Sequence, residues 1–273
     1  MAQQEAWNKE LLANPHAVAD KRTRVQRMFS AIAPSYDINN RLHSLWMDQY
    51  WRRTAVRLSG LQADDQVVDV ACGTGDLAIK FADHLLLLVD VERTPCRVMG
   101  IDFTYAMLPI ARRKWLGSAV VVEHAGESFY RPEVRQTLSW INGDALALPL
   151  PDTSANVVSI AFGIRNVTDP AAAIREFHRV LKPGGRVIIL EFSLPTNSVL
   201  RAMYNVYFRK VLPHTATWIS GDKTGAYRYL PESVNTFIGR EQMISMMRDA
   251  GFQDVQQFPL TLGICVCYRG YRR

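Results

Sequence analysis

Hydrophobic residues along this chain follow two periods. Before residue 60 they recur at helical spacing: Val25, Met28, Phe29 and Ile32 up to a break at Pro34, then Trp46, Tyr50 and Trp51 among Arg52, Arg53 and Arg57. Both stretches predict helices. From Gln66 the pattern shortens into runs that predict buried strands, VVDVA, RVMGID, LSWING, VVSIAFG and RVIILEF, separated by segments that predict helices over about 75–83, 104–116 and 170–181. Lys182-Pro183-Gly184-Gly185 ends the last of these helices and turns the chain into the next strand. Strands alternating with helices build a doubly wound parallel sheet. The alternation lapses toward the C-terminus, where the sequence predicts an aromatic helix over 198–212 (Leu200, Met203, Tyr204, Tyr207, Phe208), a loop containing GDKTGAYRYLP, and a helix over 240–250 stopped at Gly251. Two runs near 253–258 and 260–269 follow, joined so tightly at Pro259 that they should pair antiparallel. The expected fold is α/β, a mostly parallel seven-stranded sheet ending in an antiparallel hairpin. Residues 1–60 form a helical N-terminal lid in this reading, and 61–273 the sheet domain with a lid insertion at about 195–238.

Composition changes this picture little. The 273 residues are 48% hydrophobic, enough for a large core. The net charge of +6 is spread among 26 acids, and no aromatic-basic stripe suggests nucleic acid as a partner. Cys72, Cys96, Cys265 and Cys267 have the spacing of neither a disulfide framework, a zinc site nor a redox pair, so they read as core residues of a reducing compartment. No metal is expected. Apolar runs such as LLLLV at 85–89 are too short to cross a membrane, and MAQQEAWNKELL lacks the hydrophobic region of a signal peptide. Without an export signal, the glycosylation triplet at Asn166-Val167-Thr168 is a chance match. A cytoplasmic protein that at most rests on a membrane is expected, a processed mitochondrial-matrix protein being the alternative.

Asp69-Val70-Ala71-Cys72-Gly73-Thr74-Gly75-Asp76 ends the first strand and opens the first helix of the sheet domain. Its glycines permit a tight turn against a ligand, and the helix start offers unpaired N–H groups. Gly73-x-Gly75-x-x-Ala78 also fits the dinucleotide fingerprint, so the motif alone leaves NAD and S-adenosylmethionine (SAM) open. Either ligand needs an acid after the second strand to hold its ribose diol. Asp90, after LLLLV, and Asp102, after RVMGI, compete for this place. Asp102 is preferred, because FTYAMLPIARRK behind it predicts a helix able to cover an adenine, whereas VERTPC behind Asp90 starts a helix poorly; residues 84–98 are then an insertion.

The blocks VVDVACGTGD, GIDFTYAML, INGDALALPLPD, AFGIRNVTD, HRVLKPGGRVIILEFS and YRYLPESV resemble, in this order, the ubiquinone/menaquinone biosynthesis C-methyltransferase family (UbiE-type), within the class I SAM-dependent methyltransferases. The resemblance runs from about Val25 to the C-terminus; FGIRNVT with YRYLPES is its most diagnostic part, and the connections at 84–98 and 117–137 depart from it. It implies a Rossmann-like fold and SAM as cofactor. Gly73, Thr74 and Gly75 would then follow the methionine part and Asp102 the ribose. Asp144 and Ala145 would flank the adenine, Phe103 and Met107 would supply apolar faces, and Ala161 stands where the family often has serine. The implied reaction methylates a ring carbon of a polyprenyl hydroquinone, demethylmenaquinol or the equivalent ubiquinol precursor.

The stretch VVSIAFGIRNVTD drives a buried strand into Arg165 and Asn166, at the rim where parallel sheets bind ligands. A buried guanidinium needs a partner. Asp169 or another rim carboxylate is one candidate. The resemblance supplies another, the substrate's phenolic oxygen, which at a pKa near 10 is ionised to only about one part in a thousand at pH 7. Arg165 would favour the phenolate, with Asn166 as a second donor. Tyr36 would close over SAM or the ring, oriented by Asp37, and His214 is the histidine to test as a base. The helix over 198–212 and Leu45, Trp46 and Met47 would form a channel for the tail, while Arg52, Arg53, Arg57, Arg209 and Lys210 would meet an anionic membrane surface. A homodimer or a quinone-synthesis complex completes the expected partners. The competing readings are an NAD-linked oxidoreductase, methylation of RNA or of another small molecule, and a noncatalytic subunit.

Overall fold

In the computed structural model, which describes residues 6–88, 97–117, 121–124, 127–130 and 138–273, the chain opens with three helices, α1 (Lys21–Ile32), α2 (Tyr36–His43) and α3 (Met47–Ser59). The alternating region follows as β1 (Gln66–Val70), α4 (Asp76–Leu88), β2 (Arg97–Asp102), α5 (Leu108–Gly117), a small hairpin of β3 (Val121–His124) and β4 (Glu127–Tyr130), β5 (Leu138–Asn142), β6 (Ala155–Ala161), α6 (Pro170–Val180) and β7 (Leu181–Phe192). Then come α7 (Ser198–Val206), α8 (Leu212–Ser220), α9 (Ala226–Asn235), α10 (Arg240–Asp249), β8 (Gln253–Leu260) and β9 (Cys265–Tyr271). The main sheet has the order β5-β2-β1-β6-β7-β9-β8, parallel through β7 and antiparallel beyond it.

The strands form where the sequence runs apolar because both faces of the sheet are covered. On one face Trp51 and Ala55 of α3 and Phe81 and Leu85 of α4 pack against Val67, Val157 and Ile188. On the other, Ile174 and Phe177 of α6 and Met243 and Met247 of α10 pack against Val68, Val158 and Val187. Asp169 caps α6 by accepting from Ala172 N at 2.9 Å, and Pro170 fills the first helical position, where no N–H is needed. A third cluster joins α1 to α7–α9 through Met28, Ile32, Tyr204, Phe208 and Tyr229.

Asp102 ends the strand that pairs with β1, as expected. Four local expectations change. His84–Leu88 continue α4, which the sequence pattern ends near residue 83 before an insertion over 84–98. Asp90 and Cys96 lie outside the described residues. The helix over 198–212 passes through a π turn at Tyr207–Val211 and runs on to Ser220. The YRYLP stretch belongs to α9, whose start is set by Gly225 at φ 85°. The terminal hairpin turns at Thr261–Gly263, with Pro259 inside the edge strand β8, where a missing N–H breaks no interior ladder.

Candidate active site

At the C-terminal ends of the parallel strands two cavities meet. The first is lined by Gly73, Asp102, Phe103, Met107, Asp144, Ala145, Ala161 and Asn166. The second, about 470 Å³, is lined mainly by apolar side chains from α1–α3 and α7–α9, with Arg165 on its wall. Phe29, Tyr36 and Phe162 border both. At this junction Ala71 and Phe162, on neighbouring strand ends, are non-glycine residues held at φ 51° and 58°. Such backbone is sparsely populated and costs about 1–3 kcal/mol per residue. Gly163 is required beside them, since a Cβ there would stand 2.7 Å from that of Ala71.

In the first cavity the Asp102 carboxylate is pinned by two backbone donors, Gly73 N at 2.7 Å and Thr104 N at 2.7 Å. Each oxygen keeps a lone pair, so the pair can still accept from a vicinal diol. Burial raises its pKa to about 6, with the two N–H groups opposing the shift. Asp144 already has partners: Leu146 N donates to it at 3.0 Å, and Arg22 lies 2.7 Å from its other oxygen. Arg22 also stacks 4.4 Å above the Phe103 ring, so α1 contributes a polar cover over the cavity that the sequence pattern did not reveal. Thr74 and Gly75 are not part of the lining. Thr74 instead donates to Asp37 at 2.5 Å, and Lys114 Nζ reaches Asp37, Asp76 and Thr74 at 2.5, 2.7 and 3.2 Å. Asp37 is therefore committed to tying α2 to the glycine turn, not to orienting Tyr36. Arg41, 3.2 Å from Asp76, extends the network. Burial would raise the Asp76 carboxyl, but Arg52 and Lys114 prevail and hold it near 2.

Arg165 and Asn166 sit in one 3-10 turn and face different cavities. The Arg165 partner is Glu191 at the end of β7, not Asp169: Nη1 donates to Glu191 Oε1 at 2.7 Å and to Phe162 O at 2.7 Å, and Nε donates to Ser233 Oγ at 3.3 Å. Burial works against the charged guanidinium, yet Glu191 outweighs it and holds the pKa above the ordinary arginine value. Among the described residues no acceptor is bonded to Nη2. Asn166 is fixed by Tyr229, whose hydroxyl donates to its Oδ1 at 2.9 Å, and by its own amide donating to Phe162 O at 3.2 Å. Burial raises the phenols of Tyr36, Tyr204 and Tyr229, so all three stay protonated at neutral pH. Lys21, 2% exposed, donates to the carbonyls of Arg165 and Val167 at 2.9 and 2.7 Å and thereby holds the turn from behind. Burial, reinforced by Arg165, lowers its pKa to about 8.

Glu191, Lys21, Ser233 and Tyr229 were not singled out from the sequence. Glu191 had a signal, an acid closing the otherwise apolar run VIILEF. His214 is exposed on α8 and lines neither cavity. The expected tail residues Leu45, Met47, Leu200, Met203, Tyr204, Tyr207 and Phe208 line the second cavity, and Trp46 does not. Arg52 is not available to a membrane: it is 6% exposed and paired with Asp48 at 2.9 Å.

A family model described as the ubiE/COQ5 methyltransferase family matches residues 17–272. The chain is 42% identical over 257 residues to a protein of Geobacter sp. (strain M21) named ubiquinone/menaquinone biosynthesis C-methyltransferase UbiE, covering 93% of this chain and 99% of that one. It is 44% identical over 246 residues to a demethylmenaquinone methyltransferase of Thermus thermophilus, covering 90% and 100%. Among solved structures it is similar to a SAM-dependent methyltransferase of Thermotoga maritima, at a TM-score of 0.57 and 20% identity over 91% of this chain and all of the other. A SAM-dependent methyltransferase of Aquifex aeolicus gives a TM-score of 0.51 at 17% identity, over 80% and 88%. These structural likenesses bear on the fold alone.

Proposed function

The chain belongs to the ubiE/COQ5 methyltransferase family, and from that premise we infer how its two joined cavities share the work of methylating a quinol ring. It is a SAM-dependent C-methyltransferase of quinone biosynthesis, acting on a polyprenyl hydroquinone, demethylmenaquinol or the equivalent ubiquinol precursor. The cavity bearing Asp102 fits SAM: a buried, pinned carboxylate suits the ribose diol, Met107 and Phe103 offer apolar faces, and Gly73 at φ 55° lets the backbone approach. SAM supplies a methyl group carried on a positively charged sulfur. The second cavity, nearly all apolar, takes the ring and the start of its tail.

The observation that carries this reading is the junction. One 3-10 turn presents Arg165 to the substrate cavity and Asn166 to the cofactor cavity, with Tyr36 and Phe162 between them. A ring seated against Phe162 would bring its phenolic oxygen to Arg165 Nη2. There the guanidinium favours the phenolate, the phenol's proton leaving to a solvent water; the neighbouring carbon is the nucleophile, and after gaining the methyl it would lose its own proton to restore the aromatic ring, with S-adenosylhomocysteine as the other product. Arg165 itself stays protonated and acts as a donor. The raised phenol of Tyr36 stays neutral and walls the junction, and the apolar surroundings keep out water that would compete for the methyl group.

Incubation of the purified chain with SAM and demethylmenaquinol in detergent, followed by mass spectrometry, should show a gain of one methyl on the ring. Thermal shift should show stabilisation by SAM and S-adenosylhomocysteine; stabilisation by NAD alone would overturn the proposal. Among the described residues no helix is long and apolar enough to cross a membrane. A bacterial cytoplasmic location, as for an enzyme resembling its Geobacter and Thermus relatives, is part of this proposal.

A further inference from the structure

The apolar substrate cavity carries a second arginine on its wall, for which the methylation step described above has no task. Arg52 of α3 is 6% exposed and lines the cavity together with Asp48, 3% exposed. Asp48 holds one arm of the guanidinium: Nη1 donates to Asp48 Oδ2 at 2.9 Å and to Asp48 O at 3.2 Å. The carboxylate has further donors, Ser44 Oγ at 3.0 Å and Gln49 Nε2 at 2.8 Å. Among the described residues, Arg52 Nε and Nη2 have no acceptor, and neither atom is sealed in protein, so they open on the cavity that Arg52 lines. The arrangement repeats that of Arg165 and Glu191, in which a buried carboxylate keeps the arginine charged and leaves part of its fork free. Buried donors without an acceptor cost free energy, so these call for one that the folded chain does not supply.

The two arginines flank one aromatic pair. Phe162 and Phe192 have their ring centroids 4.6 Å apart, with the Arg52 guanidinium 5.2 Å from the Phe162 centroid and that of Arg165 5.3 Å from the Phe192 centroid. Both charges also act on the Tyr36 phenol at the junction. A hydroquinone ring carries two oxygens, para to each other, and its hydrocarbon tail offers no other acceptor. Resting on the quinol reading of this cavity, we infer that Arg52 binds the second ring oxygen while Arg165 meets the first. The pair then selects a 1,4-dihydroxy ring and fixes its rotation in the plane. A neutral acceptor suits the place. Arg41, Arg52 and Lys114 already balance Asp37, Asp48 and Asp76 in the neighbouring ion-pair network. The carboxylate of SAM would add uncompensated charge beside Asp48 and Asp76, and Arg52 does not line the cofactor cavity. The hydroxyls of Tyr204 and Tyr227, on the same wall, are unbonded too, but both are sealed in protein.

The test uses a substrate pair: a short-tailed demethyl 1,4-quinol, and the monophenol analogue that keeps only the hydroxyl beside the methylated carbon. The pair is built on the naphthalene or the benzene ring, whichever wild type methylates faster, and kcat/KM is measured for both with the full chain. Wild type should prefer the diol, and removing the donor should cut that preference by about tenfold to a hundredfold, the worth of a hydrogen bond to a charged group. The double variant D48N/R52M removes it without leaving a charge unpaired, and KM for SAM should stay within about threefold of wild type because the two sites are separate. Arg52→Lys keeps the ion pair with Asp48 but not the planar fork, so it should fold like wild type and still lose most of the preference. Three results would each overturn the inference alone: wild type without a preference for the diol, variants that lose the same factor on both substrates, or variants whose loss appears in KM for SAM. If wild type methylates neither quinol, the quinol reading itself fails and this inference falls with it.

Discussion

Removing Arg165 should slow methylation by about a hundredfold, but a single substitution is a poor test of why. Arg165 and Glu191 are 5% and 2% exposed and 2.7 Å apart, so Arg165→Met strands a carboxylate in the core. That costs about 3–5 kcal/mol of stability, enough to obscure an effect on turnover. The double variant R165M/E191Q avoids this: the amide still accepts from Phe192 N, which bonds Glu191 Oε1 at 2.8 Å, and no charge remains unpaired. It should melt close to wild type and bind SAM equally well. The magnitude follows from the opposing charges. A phenolate about 4 Å from the guanidinium gains about 4 kcal/mol at an effective dielectric of 20 and loses about 2.5 kcal/mol to Glu191 at about 6.5 Å. The remaining ~1.5 kcal/mol is about one pK unit, or tenfold more phenolate at neutral pH. The hydrogen bond from Nη2, strongest to the anion, brings the total to roughly a hundredfold. Because the ionised fraction of the phenol rises with pH, the deficit should shrink as pH approaches 10. Single-turnover rates from pH 6.5 to 10, with product read by mass spectrometry, measure it. A double variant within threefold of wild type would remove Arg165 from the mechanism. A hundredfold deficit that is the same at every pH would leave it only a positioning role.

Other outcomes follow from the buried groups. Asp102, near pKa 6, accepts the ribose diol best when ionised, so SAM affinity measured by calorimetry should fall as pH drops from 7 to 5; Asp102→Asn should bind more weakly at pH 7.5 and lose that dependence. Asp69, 1% exposed, is raised by burial to about 7. The native state therefore binds the extra proton between about pH 4 and 7, and stability falls as pH rises through that window. Asp69→Asn, which can still accept from Ser159 Oγ at 2.7 Å, should be more stable than wild type at pH 8 by up to a few kcal/mol and equal to it near pH 4, in urea melts. Lys21→Met leaves the carbonyls of Arg165 and Val167 without their donor and should cost about 1–3 kcal/mol as well as turnover. For Lys21 the native state binds fewer protons than the unfolded one between about pH 8 and 10.5, so wild-type stability should gain from this lysine's titration in that range and the variant should not.

The main sheet was legible because its strands are covered on both faces, which turns each into an unbroken apolar run, and because Gly73, Gly75 and the Lys182–Gly185 segment punctuate the ends. Four consecutive leucines carry no period, so Leu85–Leu88 could not be told from a strand; they extend α4, with Leu87 left 73% exposed. Pro259 read as a turn because proline is excluded from central strands, a rule that lapses on the edge strand β8. Asp102 and Asn166 could be named because each follows a strand, and Met107 because the family resemblance implied it. Glu191, Ser233 and Lys21 converge on Arg165 from 26, 68 and 144 residues away, and no local spacing encodes such a meeting. Lys114 and Asp37 meet in the same way, which is why Asp37 read as a partner for its neighbour Tyr36.

The places where local rules fail fall into two groups with different physical uses. Around the junction, Ala71 and Phe162 hold left-handed backbone, and an arginine, a glutamate and a lysine are sealed among apolar side chains. On the proposed mechanism, strain and burial fix Arg165 beside the reacting ring, in a medium where its charge is weakly screened. Leu45, Trp46 and Leu262 also hold left-handed backbone but are 57–80% exposed. Leu45, Leu262, Phe162 and Arg165 all line one apolar cavity, which suits an amphiphile whose reactive head is ionised away from water and whose tail is apolar. Substitutions at the junction should therefore lower turnover whatever the length of the substrate's tail, and substitutions of Leu45 or Leu262 should lower it for long-tailed quinols alone. A variant set in which changes at Leu45 and Leu262 lower turnover on a long-tailed quinol but not on a short-tailed one, while junction changes lower both, separates these roles.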